Sequence, residues 1–137
     1  MFAEMFITSP NLGEVLFWLH LPVVLVWIGL FFFPQAWWED KVSFHFWFII
    51  TVFASQVLWG IAMISVRKRF GAGVCLLTTL TQYVRGFSIS DPRNYNHTFI
   101  IEFCERFRIR LHDSVLNTLL VSTLVAVGVQ FLIETRW

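Results

Sequence analysis

His20, His45 and His112 are the residues of this sequence whose chemistry stands out, because each lies within or beside a long uncharged run. Ionisable groups inside such runs are rare and default to a functional reading. Two imidazoles facing across a helical bundle ligate a b-type haem, and a single one suits a five-coordinate pigment such as a chlorin. His20 sits about five residues into the first run, roughly 8 Å deep at about 1.5 Å per residue. His45 opens the second run and His112 precedes the last. His20 and His45 enter from opposite faces and no spacing selects a pair, so two-histidine ligation by this chain alone is not expected. The plainer role for His20 is structural. Pro22 leaves the carbonyl of Trp18 without a donor, and a neutral His20 would donate to a carbonyl near that break, on a neighbouring copy or partner helix.

Gln56 and the cluster Thr78, Thr79 and Gln82, with Asn117 on the last run, form a second polar set. An unpaired amide in hydrocarbon is costly, so these side chains should meet as a structural polar hub between helices. Cys75 and Cys104 lack any CxxC spacing and read as small buried apolar residues. There is no HExxH, no glycine-rich phosphate loop and no Asp or Glu inside an apolar run. That leaves no metal site and no catalytic constellation, and it argues against ion-coupled transport, which needs an intramembrane acid.

The elements that must hold these residues are helices in lipid. Of 137 residues, 57% are hydrophobic and only 14% charged, against about 25% charged in soluble domains. A net charge of +1 offers no basic face for nucleic acid. The expected architecture is an all-α integral membrane protein in a single domain, residues 1–137. Its three spans are expected at about 15–34, 43–66 and 114–133, with Asn11 and Glu14 forming a capping box ahead of the first. Residues 70–84 carry no charge but number fifteen, short of the roughly 20 that a crossing helix needs. They predict a buried half-helix over 70–86 that turns back, with a fourth span as the alternative. Residues 98–111 alternate apolar and charged positions at helical spacing and predict an interfacial amphipathic helix. On the last span, Asn117, Ser122, Thr123 and Gly128 are expected to face its neighbours.

The first nineteen residues hold Glu4 and Glu14 and no Lys or Arg, so no cleavable leader is expected. Lys41 alone stands in the first loop, against Arg67, Lys68 and Arg69 in the second. The positive-inside rule therefore puts the N-terminus and residues 67–69 in the cytoplasm.

Residues 75–85 carry a family likeness. Cys75-Leu76-Leu77-Thr78-Thr79-Leu80-Thr81-Gln82-Tyr83-Val84-Arg85 resembles the Cys-Pro-Leu-Thr-x-Leu-Glu-x-x-Leu-Arg signature of the DUF2784 family of small bacterial membrane proteins. Leu19-His20-Leu21, the Trp59-Gly60 pair and the aromatic stretch at residues 96–102 are similar to that family's features in the same order. Leu76 stands where the signature has Pro and Thr81 where it has Glu, so any ion pair that the acid makes in the family is lost here. The resemblance implies a bacterial inner-membrane location and adds no activity. The function expected from all this is a non-catalytic accessory subunit of a larger membrane complex, in contact with lipids and other subunits. The alternative is a haem- or (bacterio)chlorophyll-binding subunit for electron transfer or light harvesting.

Overall fold

The first apolar run folds as one rod, Asn11–Phe32, broken only at Leu19. We label its halves α1 (Pro10–Trp18) and α2 (His20–Phe32). The computed structural model describes residues 10–67, 74–96 and 98–135. Asn11 lies inside the helix rather than capping it, and Glu14 is drawn instead into ion pairs with Arg85 and Arg106. The capping box expected there does not form. The rod stops at Phe32 because Phe33 precedes Pro34 and is extended, at φ −76° and ψ 126°, as the residue before a proline must be.

After a short 3₁₀ turn, Gln35–Trp37, helix α3 (Lys41–Ala62) returns antiparallel to α2. Lys41 Nζ donates to the Phe33 carbonyl at 2.7 Å, and His45 Nε2 donates to the Trp27 carbonyl at 2.9 Å. A break at Met63 leads to α4 (Ile64–Arg67). Residues 68–69 of the basic loop lie outside the described residues. Helix α5 (Leu76–Val84), the short α6 (Arg93–Asn96) and α7 (Phe99–Arg106) follow, and α8 (Asp113–Glu134) closes the bundle. Phe131 of α8 stacks on Phe46 of α3 at 4.1 Å, and Gln35 donates to Glu134. Both contacts bring the C-terminal end of α8 to the start of α3.

Among the described residues every element is helical. Three helices of 22 residues, Asn11–Phe32, Lys41–Ala62 and Asp113–Glu134, are long and apolar enough to cross a membrane. Few of their side chains are buried within the protein; Phe32 is 82% exposed and Leu58 67%. So much exposed apolar surface would aggregate in water and is ordinary in lipid.

Helix α5 is far too short to cross, about 14 Å at 1.5 Å per residue. It lies antiparallel against α1, its start beside His20 and its end beside Glu14. Its faces are inverted with respect to a water-soluble helix. Thr78, Thr79, Thr81 and Gln82 are buried, while Leu76, Leu80 and Tyr83 are exposed. The helix ends in a Schellman turn. Phe87 N–H donates to Gln82 O, Gly86 N–H donates to Tyr83 O, and Gly86 takes φ 92°.

The helix expected at 98–111 is only eight residues long. Ile109 N–H donates to Cys104 O and Arg108 N–H to Glu105 O. This second Schellman turn forces Arg108 to φ 62°. On α8 the expected packing face holds only at Thr123. Leu116 and Val127 are buried, Asn117 and Ser122 are exposed, and a Cβ on Gly128 would meet nothing within 4 Å beyond its neighbours and the backbone of its own helix. The face that packs repeats as Leu116, Leu120, Thr123 and Val127, because burying methyl and methylene groups fixes the rotation of α8 and its few polar groups do not.

Candidate functional site

The break at Leu19 turns His20 inward, where it is 8% exposed. Its Nδ1 lies 3.2 Å from both the Leu16 and the Phe17 carbonyl. Carbonyls only accept, so Nδ1 carries the proton and Nε2 presents its lone pair. The acceptors are on its own helix, one turn back, and not the Trp18 carbonyl expected from the position of Pro22. Phe99 of α7 stacks flat on the ring, 4.9 Å between centroids and 2° between planes. That contact fixes the direction of Nε2. It points at two groups at the start of α5: Thr78 Oγ1 at 3.3 Å and Cys75 Sγ at 3.6 Å.

Cys75 is the residue at which α5 begins, and its carbonyl already accepts from Thr79 N–H at 3.0 Å. The first amides of a helix have no partner within it, and they face back toward the capping residue. A thiol at this position meets the positive end of the helix as well as the imidazole. In the sequence alone Cys75 reads as a small buried apolar residue. The signal available was its place just before the uncharged helix, three residues from Thr78.

Thr79, one residue round from Thr78, accepts from Trp59 Nε1 of α3 at 3.1 Å and donates to the Cys75 carbonyl at 3.2 Å. The threonines thus tie α5 to α2 on one side and to α3 on the other. Gln82 is 3% exposed on the same face. Gln56 and Asn117 are not in this cluster. Gln56 makes no hydrogen bond to a described residue and lines a cavity instead. Asn117 lies on the exposed face of α8.

That cavity has a volume of about 380 Å³ and lies between α2, α3, α5, α7 and α8. Val52, Leu120 and Leu124 give it apolar walls, and His20, Cys75 and Thr78 stand at its polar end with the Gln56 amide in the wall. An apolar hollow with a few converging polar groups is the usual form of a ligand site.

Four charges hold the far end of α5. Arg85 reaches Glu14 at 2.8 Å and Glu102 at 2.9 Å; Arg106 reaches the same two carboxylates at 2.9 and 3.0 Å. The stem of Arg85 lies on Gly13, where a Cβ would stand 2.7 Å from its Cγ. Arg106 sits 4.0 Å over the ring of Phe17. Burial works to raise the pKa of Glu102, but bonds from Arg85 and Arg106 outweigh it and hold the carboxyl below its ordinary value.

The three histidines nominated as pigment ligands do not converge. His20 faces Cys75. His45, 1% exposed, is held by the Trp27 carbonyl and the edge of Phe31. His112 is exposed and caps α8, its Nδ1 accepting from Ser114 N–H at 3.3 Å. Among the described residues no three His, Cys, Asp or Glu side chains are grouped to hold a metal ion. Comparison with family models, with curated proteins and with solved structures gives no match.

Proposed function

We propose that this chain is an integral membrane protein that takes a single acyl chain of a lipid into the cavity between its helices. The three long helices cross the bilayer, α5 is a half-helix that enters and turns back, and α7 lies at the interface with Arg106 at its end. The observation that carries the reading is the cavity: apolar walls, with the imidazole, thiol and threonine hydroxyl at one end. Its volume of about 380 Å³ is near the small end of ligand sites, roughly 300–1,000 Å³, and fits one chain better than a whole two-chain lipid. The inverted faces of α5 support its place in lipid, since a helix that buries threonine and exposes leucine is stable only where leucine meets hydrocarbon. The likeness to the DUF2784 family belongs to this proposal as a matter of fold and of a bacterial inner-membrane location. The N-terminal end, which also carries Arg85 and Arg106, is assigned to the cytoplasm by the positive-inside rule.

The test uses a photoactivatable alkyl-diazirine fatty acid and the whole protein in lipid nanodiscs. Crosslinks should map to residues of the cavity wall, and Leu120→Trp, which fills the cavity, should abolish them while the protein still assembles. Equal crosslinking in wild type and the filled variant would sink the proposal.

One observation favours a second reading, an accessory subunit in a larger complex. Asn117 presents an amide on the exposed face of an apolar helix, and lipid tails cannot satisfy it, so a partner helix would. Asn117→Leu should then release the chain from its complex on native gels.

A further inference from the structure

Cys75 and His20 lie side by side at the polar end of the cavity. His20 has its proton fixed on Nδ1 by the Leu16 and Phe17 carbonyls, which leaves the Nε2 lone pair to face both the Thr78 hydroxyl at 3.3 Å and the Cys75 thiol at 3.6 Å. The stacked ring of Phe99 prevents the imidazole from turning off that line. Thiols become nucleophiles when a neighbouring base takes the proton or a helix start stabilises the thiolate, and both devices are present here. The amides of Leu76 and Leu77, in the first turn of α5, have no partner within the helix. Such donors stabilise the oxyanion that forms when a thiolate attacks a carbonyl. The Gln56 side chain stands in the wall of the same cavity.

We propose that Cys75 accepts the acyl group of a long-chain acyl thioester and carries it as a protein thioester, with His20 as the base. The inference rests on the acyl-chain reading of the cavity. In the step, His20 Nε2 takes the thiol proton as Cys75 Sγ attacks the carbonyl carbon. A new carbon–sulfur bond to Cys75 forms and the donor's carbon–sulfur bond breaks. His20 then returns the proton to the departing thiolate. A thioester is consumed and another formed, so no oxidant or further reactant is needed.

The probe is alkynyl-palmitoyl coenzyme A, added to the full chain in nanodiscs. Wild type should gain one acyl mass, lost on treatment with neutral hydroxylamine and located on Cys75. Cys75→Ser should take up no hydroxylamine-labile label, and Cys104→Ala should label as wild type does. His20→Asn keeps a donor for the carbonyls and lacks the base, so labelling should slow by roughly 100-fold or more. Labelling of Cys104 as fast as Cys75, or a His20→Asn rate equal to wild type, would overturn the proposal. Crosslinking in the cavity without any thioester would refute the acyl-transfer step alone. Loss of both in wild type would refute the acyl-chain reading as well.

Discussion

Thr79 shows how much one hydroxyl can do inside an apolar protein. It accepts from Trp59 Nε1 and donates to the Cys75 carbonyl, so it joins α3 to the residue at which α5 starts. Thr79→Val keeps the shape and leaves the indole N–H without its partner. The expected loss is on the order of 1–3 kcal/mol, read as a lower midpoint of thermal unfolding in detergent, and Trp59→Phe in the same background should recover part of it. Glu102 gives a residue-scale test in pH. Its carboxyl is held below the ordinary carboxylate value in the folded protein, so the stability it contributes is present above that ordinary value. It is lost as pH falls through the depressed one. Unfolding midpoints measured from pH 7 to pH 3 should fall steeply at the acid end for wild type. Glu102→Gln should start lower and lose less over the same range.

At the scale of elements, the strained end of α7 is open to test. Arg108 holds φ 62° in a turn position that glycine occupies without strain. A left-handed conformation costs an L-residue about 1–2 kcal/mol, so Arg108→Gly should raise the unfolding midpoint, where the same change at Arg93, inside α6, should lower it. This turn also shows where the sequence was legible. The long uncharged runs announced three helices, because a helix satisfies its own backbone over 22 apolar residues. The short helix Leu76–Val84 was legible from the length of its uncharged run and its threonines, and residues 70–73 of that run lie outside the described residues. The early end of α7 was not, because Arg108 is not glycine and the helical spacing of apolar residues runs on past it. The site was legible in part. His20 was marked by its depth and Thr78 by its company. Cys75, which lies beside them, carries no polar signature and is 55 residues from His20 in the chain. Gln56 and Asn117 were assigned to the hub by composition, and the rotation of their helices, set by apolar packing, turned them elsewhere.

Over the whole molecule, the contacts divide the protein into two ends. At one are Glu14, Arg85, Glu102 and Arg106, tied together in a closed set of ion pairs. At the other are Lys41 on the Phe33 carbonyl and Glu134 against Gln35. The antiparallel course of α2, α3 and α8 requires this division if all three cross, and a half-helix that turns back at α5 preserves it. A fourth crossing at α5 would instead move everything after it to the other side, separating Arg106 from Glu14. The two topologies therefore predict opposite labelling of the C-terminal half. In a background with Cys75 and Cys104 replaced by Ser, single cysteines at Trp37 and Thr135 should react with an impermeant maleimide from the same side. Cysteines at Ser88 and His112 should react only from the opposite, cytoplasmic side. Reaction of Ser88→Cys and Thr135→Cys from one shared side would show that the last helix does not cross as the ion pairs require. Breaking the set with Arg106→Gln should leave the labelling pattern intact and lower only stability, because on the proposed topology the apolar runs would hold the helices across the bilayer, and the charges fix only how α1, α5 and α7 dock together.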